Sequence, residues 1–269
     1  MIEVMSWLKE GLKRSVRAVV ARGSLRHLNA ALFRLGTVGL GVGPADPQQP
    51  EERNFLRRHV NAAKPVIFDV GANIGQYATM ALSVLPNAKI TSFEPHPNAF
   101  AKLIDLAGRK GFIAINCAVG DRSGTINLFD CTADVGTELA STVPGVIERI
   151  HGESPAAREV PLVSLDDFLR EHEVPHIDLL KIDVEGAELA VLRGAREAIS
   201  QHRIGAIQLE FNEMNTVSKT FVGDLLQELP GFHIYRLLYN GDLLDITHRH
   251  PLYREIFGFQ NLVALPASR

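Results

Sequence analysis

The spacing of apolar residues changes twice along the chain. Over residues 2–35, Val4, Leu8, Leu12, Val16, Val19 and Val20, then Leu28, Leu32 and Leu35, recur at three- and four-residue intervals. That spacing predicts amphipathic helix, split in two at Gly23-Ser24. Gly36 to Pro50, rich in Gly, Pro and Gln, reads as a linker, and Glu51 to Asn61 as a short helix. From Pro65 the pattern becomes compact apolar runs alternating with helical stretches. Val66–Val70, Lys89–Phe93, Ile113–Cys117, Ile177–Ile182 and Ile204–Glu210 predict strands. Gly75–Val84, Pro97–Gly108, Ala187–Ser200 and Thr220–Leu229 predict the helices between them. Val66–Val70 is apolar at nearly every position, as expected of a parallel strand covered on both faces.

The C-terminal part differs. Phe232–Leu238 and Leu243–Thr247 flank Asn240-Gly241 and predict a hairpin with a type I′ turn, and Phe259–Leu265 predicts a last strand. The expected fold is a Rossmann-like α/β domain over residues 51–269, with a mostly parallel seven-stranded sheet and an antiparallel last strand. Residues 1–50 form a helical arm and linker before it. Residues 121–166 interrupt the alternation as an insertion. Thr125–Phe129 and Val160–Val163 are its expected strands, and Ser164 with Asp167 is a helix start. An insertion of this length is the natural lid, and Thr137, Ser141, Thr142, Arg149 and His151 suit hydrogen bonding to a polyol.

Charge refines this division. The 269 residues are 46% hydrophobic and 22% charged with a net charge of −3, so no global field favours nucleic acid. Residues 1–36 carry Lys9, Lys13, Arg14, Arg17, Arg22, Arg26 and Arg34 against Glu3 and Glu10, a local +5 that leaves −8 on the rest. A basic amphipathic arm has two readings: it lies on an anionic membrane as a peripheral contact, or it packs on the domain or on a second subunit in a homo-oligomer. Two cysteines, no apolar run of membrane-spanning length and no secretory signal together make the cytoplasm the expected location.

Four motifs carry chemistry. Asp69-Val70-Gly71-Ala72-Asn73-Ile74-Gly75 falls where the first strand turns into a helix. Gly71 there lets backbone approach a ligand, but Asn73 and Gln76 stand where a nicotinamide fingerprint needs glycines. The loop suits a nucleoside ligand without pyrophosphate, such as S-adenosylmethionine. Glu94 closes the second strand 19 residues after Gly75, the offset at which a carboxylate meets ribose hydroxyls. Asn116, Cys117 and Ala118 end the third strand and are candidates to border an adenine. Lys181, Asp183 and Glu185 end the fourth, and period-two alternation aims the first two at one side of the sheet. Such a cluster is either functional or a Lys181–Asp183 ion pair with a Glu185 helix cap.

The segments FDVGANIGQY (68–77), FEPHP (93–97), NCAVGDRSG (116–124), VSLDDFL (163–169) and DLLKIDVEGAELAVLRGA (178–195) together resemble the FkbM-type methyltransferases. The resemblance runs from about residue 51 to the C-terminus and leaves the arm without a counterpart. It implies an S-adenosylmethionine-dependent enzyme, chiefly O-methylating, acting on hydroxyls of sugars, glycolipids or other natural products. It also implies that Asp69, Gly71, Asn73, Gly75 and Glu94 hold the cofactor, with Asp183 and Glu185 near the transfer site.

Methyl transfer from a sulfonium needs alignment and removal of the acceptor proton. Asp183, Glu185 and Glu210 are the candidate bases, with His96 a weaker one, and Lys181 could stabilise a developing alkoxide. A divalent metal on Asp183 and Glu210 is conceivable but not favoured, since two carboxylates fall short of a metal signature. The remaining rivals are N-methylation of a small-molecule amine on the same scaffold and a non-catalytic interaction module. A nucleic-acid N-methyltransferase would need an Asn/Asp-Pro-Pro-aromatic motif where this chain has Asp183-Val184-Glu185-Gly186.

Overall fold

The computed structural model describes residues 18–43, 48–131 and 140–267. The arm residues before 18, part of the linker and Thr137 of the insertion lie outside the described residues. In chain order the elements begin with α1 (Arg26–Gly39), α2 (Pro50–His59), β1 (Val66–Val70), α3 (Gln76–Val84), β2 (Lys89–Phe93) and α4 (Pro97–Lys110). They continue with β3 (Ile113–Ile115), β4 (Ala118–Gly120), β5 (Gly124–Cys131), β6 (Pro155–Ser164), α5 (Leu165–Glu171) and β7 (Leu179–Ile182). Next come α6 (Glu188–Arg193), α7 (Arg196–Ser200), β8 (Ile207–Phe211), α8 (Met214–Ser218) and α9 (Val222–Gln227). The chain closes with β9 (Phe232–Leu237), β10 (Leu243–Asp245), α10 (Pro251–Arg254) and β11 (Gln260–Pro266).

The main sheet has the order β10-β9-β11-β8-β7-β1-β2-β3. β3, β2, β1, β7 and β8 are mutually parallel, and β11 is antiparallel to β8 and to β9. This is the expected Rossmann-like arrangement with one more strand: β10 extends the predicted seven to eight among the described residues. Period-two alternation sorts the core. Phe68 and Val70 pack on one face with Phe93, Phe168, Leu180 and Ile182, while Ile67 packs on the other with Phe55, Leu56, Ile90 and Leu103.

Several boundaries differ from the sequence reading for physical reasons. α1 runs to Gly39, and Pro50 already opens α2, so the linker is shorter than expected. The stretch Ala187–Ser200 is two helices, because a β-carbon on Gly194 would strike the Gly120 carbonyl where the break packs on β4. Ile113–Cys117 ends as a main-sheet strand at Ile115, and Ala118 starts β4 in a second sheet of order β4-β6-β5. The insertion is therefore a braced β-layer whose strands reach Cys131 and Pro155, longer than predicted. Ser164 caps α5 as expected, its hydroxyl accepting from Asp167 N–H at 3.2 Å. The β9–β10 turn is not type I′, which needs positive φ at both central residues. Only Gly241 has it (φ 85°), following a turn closed by Gly241 N–H to Leu238 O at 2.7 Å.

Phe168 sits edge-on to Phe68 and Phe93, with centroids 5.7 and 5.0 Å away, and so joins α5 to the centre of the sheet. Its replacement in Phe168→Ala should lower unfolding stability by about 3–5 kcal/mol, as for other buried aromatics. Urea denaturation followed by circular dichroism measures this, and a loss below about 1 kcal/mol would mean that α5 is not anchored there.

Candidate active site

The carboxyl ends of β1, β2 and β7 meet around a cavity of about 530 Å³. At β1 the chain turns through Gly71 (φ 82°), Asn73 (φ 46°) and Gly75 (φ 87°). Gly71 N–H and Ala72 N–H both donate to Phe93 O at 3.0 Å, which stitches the turn to β2. A β-carbon on Gly71 would collide with the Asp183 carbonyl, so only glycine lets this loop lie against β7. Gly75 serves packing instead: a β-carbon there would meet Leu106 at 2.8 Å and Leu103 at 2.9 Å on α4.

Glu94 Oε2 accepts from Asn73 N–H at 2.8 Å and Oε1 from His96 N–H at 2.7 Å. Each oxygen retains acceptor capacity toward the cavity that Glu94 lines. Burial pushes its carboxyl up to about 7, against the opposing pull of those two N–H groups. Asp69 is buried and accepts from Ser92 Oγ at 3.3 Å, and burial, only partly offset by Lys181, raises it to about 7 as well. Cys117 and Ala118 line the cavity. Asn116 does not: its amide donates to Glu94 O at 2.8 Å and Pro95 O at 3.3 Å, so it braces the β2 loop.

At the far end, Lys181 is buried and pairs with Asp183 at 3.2 Å. Burial pulls its ammonium down, but Asp183, Glu52, Glu210 and Asp69 outweigh that and lift it well above the ordinary lysine range. Glu185 is held in left-handed backbone (φ 51°) by a clamp that the sequence reading missed. Glu188 accepts from Gly186 N–H at 3.0 Å and from Asn215 Nδ2 at 2.9 Å, which fixes the turn carrying Glu185. Asn212 Nδ2 then bridges Glu210 at 2.8 Å and Glu185 at 3.3 Å. Burial, then the negative charge of Asp183, raises Glu185 to about 8 and Glu210 well above the carboxylate range. Asp183, Glu185 and Glu210 each offer an oxygen within 4.8 Å of the others, hard donors of the kind a divalent cation accepts.

Two further groups shape the site, and of their residues only Ser141 and Thr142 stood out in the sequence. Glu52 arrives on α2, lines the cavity and bonds Gln208 Nε2 at 2.5 Å, and Gln208 also accepts from Tyr77 OH at 3.3 Å. No signal in the sequence marked Glu52, an acid on a short helix far upstream of the strand-end motifs. From the insertion, Leu128, Ala140 and Thr142 line the cavity and Ser141 Oγ donates to Glu185 O at 2.7 Å, while Arg149 and His151 lie off the cavity wall. His96 is no free base, because its Nε2 bonds Asp130 at 2.7 Å and its Nδ1 accepts from Ala99 N–H at 3.5 Å.

Fold and site together define a Rossmann-like methyltransferase domain. The chain belongs to the FkbM methyltransferase family, whose domain, described as Methyltransferase FkbM domain, matches residues 69–238. It is 28% identical over 198 residues to the 2-O-methyltransferase NoeI of Sinorhizobium fredii, covering 69% of this chain and 79% of that protein. It is 31% identical over 172 residues to the 31-O-demethyl-FK506 methyltransferase FkbM of Streptomyces tacrolimicus, covering 55% of this chain and 66% of that one. The solved structure of an FkbM methyltransferase from Methylobacillus flagellatus aligns with 87% of this chain and 58% of its own at a TM-score of 0.48 and 15% identity. With this membership, the chain is an S-adenosylmethionine-dependent methyltransferase.

Two outcomes test the geometry. Gly71→Ala should abolish binding of S-adenosylhomocysteine in calorimetric titration, and retention of wild-type affinity would show that the loop does not contact the ligand. Stability should also depend on pH with a definite sign. Glu52, Asp69 and Glu94 keep their protons in the folded state up to about 7, whereas the unfolded chain releases them in the ordinary carboxylate range. Resistance to urea should therefore be greatest in acid and fall as pH rises to about 7, with Glu52→Gln flattening the fall. An unchanged slope in that variant would show that Glu52 is not buried with its proton.

Proposed function

We propose that this chain methylates a hydroxyl of a sugar, glycolipid or related natural product, with S-adenosylmethionine bound across the β1 and β2 turns. The observation that carries this reading is the continuity of one cavity from the Gly71–Asn73 loop and Glu94 to Asp183, Glu185 and Glu210. Cavity size agrees, lying within the roughly 300–1,000 Å³ typical of small-molecule sites. So does charge. The lining holds Glu51, Glu52, Asp69, Glu94, Asp183, Glu185 and Glu210 against Lys181, and a ligand bearing positive charge would favour the ionised forms of the acids that burial holds protonated.

S-adenosylmethionine supplies an electrophilic methyl carbon on a sulfonium that is already a good leaving group. The protein's part is to hold the nucleoside, align the acceptor oxygen and remove its proton. Glu94, with both oxygens fixed by backbone N–H groups, offers its remaining lone pairs to the ribose diol. Asp69 and the Gly71 turn wall the donor end, and Cys117 and Ala118 flank the base. Asp183 takes the hydroxyl proton. A third of its side chain is open (33%), and the Lys181 ammonium pairs with it at 3.2 Å and fixes its position. Glu185 and Glu210, raised by burial and joined through Asn212, are suited to hydrogen-bonding acceptor hydroxyls as donors. Transfer to oxygen is supported by the 2-O-methyltransferase NoeI, and a sugar-type acceptor by the Hexuronic acid methyltransferase AglP of Haloferax volcanii, 28% identical over 150 residues, of whose length this chain covers 58%.

The test is release of S-adenosylhomocysteine with a panel of free sugars, uronic acids and glycolipids, with and without EDTA because three carboxylate oxygens converge. Asp183→Asn should lower kcat by about a hundredfold or more while leaving cofactor affinity within about threefold. Full activity in that variant would remove Asp183 as the base, and turnover with amines but no hydroxyl acceptor would overturn the O-methylation reading.

A further inference from the structure

We propose that α1 is a docking helix for an anionic lipid bilayer, which goes beyond the methyl-transfer reading and does not depend on it. None of its fourteen residues is buried. Leu28, Leu32 and Leu35, at i, i+4 and i+7, form one stripe and are 54%, 56% and 71% exposed. Val38 (54%) flanks the stripe, Phe33 (69%) is exposed on another side of the helix, and Val19 and Val20 before the break are half exposed. Among the described residues nothing covers this stripe.

The occupant follows from charge. Between residues 11 and 45 the sequence holds Lys13, Arg14, Arg17, Arg22, Arg26 and Arg34 and not one Asp or Glu. An apolar stripe within an all-basic segment is the pattern of helices that lie in the headgroup plane of an acidic membrane. Pairing of this segment with its counterpart in a second copy would set two all-basic stretches side by side with no acid between them. Among the described residues no helix is long and apolar enough to cross a membrane, so the contact is peripheral.

The far end of α1 is fixed to the domain. Val42 is buried, Gly43 N–H donates to Phe259 O at 3.0 Å, and Arg236 Nη1 donates to Leu40 O at 3.4 Å. Phe259 lines the cavity, as does Gln49 just before α2. A helix lying on the bilayer is thus tethered at the rim of the active-site cavity, which would hold its mouth close to the lipid surface.

Co-sedimentation of the full chain with vesicles of phosphatidylcholine plus phosphatidylglycerol, or of phosphatidylcholine alone, tests this. Wild type should pellet with the mixed vesicles, much less with the neutral ones, and be released by salt. The combined variant Leu28→Gln, Leu32→Gln, Leu35→Gln should lose binding by on the order of tenfold per leucine. The combined variant Arg22→Gln, Arg26→Gln, Arg34→Gln should lose roughly fivefold per arginine. All six side chains are exposed or half exposed, so thermal melts should match wild type and exclude misfolding as the cause. Wild type remaining in the supernatant, or a leucine variant that binds as well as wild type, would overturn the proposal. So would light scattering that shows a dimer which the leucine variant breaks without any vesicle binding, since the stripe would then belong to a second copy.

Discussion

The close approach of Gly71 to the Asp183 carbonyl is the constraint on which the site depends. β1 and β7 are neighbours in register, Asp69 beside Lys181 and Val70 beside Ile182, so their ends must either diverge or touch. They touch, because Gly71 has no side chain and turns at positive φ. Asp183 N–H donates to Val70 O at 2.9 Å and completes the contact. One backbone junction thereby places the Gly71 loop and the Asp183 carboxylate, proposed to hold the nucleoside and to take the proton, against each other. No lid motion is required to bring the two halves of the cavity together.

That junction has an electrostatic consequence. Carboxylates at the ends of β1, β2, β7 and β8 converge with Glu52 from α2, and Lys181 at their centre is the counter-charge from the sheet. Desolvation would be prohibitive if every acid were ionised, and Glu52, Asp69, Glu94, Glu185 and Glu210 are all shifted toward the protonated form. A cation entering such a cavity releases protons and relieves that frustration. The proposed preference for a positively charged ligand would therefore be a property of the whole strand-end constellation rather than of one residue.

Much of this was legible along the chain, for a physical reason. In a parallel sheet the functional residues lie at strand ends, and period-two apolar runs mark those ends; Asp69, Glu94, Asp183 and Glu210 could all be placed that way. What escaped depends on tertiary packing. Glu52 reaches the cavity because α2 packs beneath the sheet through Phe55 and Leu56. Asn116 stands at a strand end as expected, yet its amide is drawn away to two carbonyls. The break at Gly194 is invisible to helical periodicity, since its cause is the Gly120 carbonyl in another sheet. Likewise Asn240-Gly241 suits more than one turn, and the backbone took the one with a single positive φ.

The insertion shows how one wall of the cavity can be rigid and still open to variation. Its attachments are largely independent of the residues facing the cavity. Phe129 and Ser141 exchange main-chain hydrogen bonds at 2.8 and 3.0 Å, Ser141 Oγ holds the Glu185 carbonyl, and Asp130 holds His96. β5 and β6 then pair over eight residues, which stiffens the layer from behind. Leu128, Ala140 and Thr142 are presented to the cavity by this frame, and Leu128 also packs into it in one buried cluster with Val160 and Leu162. Substitution at these three positions would alter the shape and polarity of the acceptor end while the Gly71 turn, Glu94 and Asp183 stayed in place. Under the proposed reading, the Gly71 turn and Glu94 serve the donor end and the insertion borders the acceptor end, and the two meet at the Asp183–Glu185 turn, where Ser141 Oγ donates to Glu185 O.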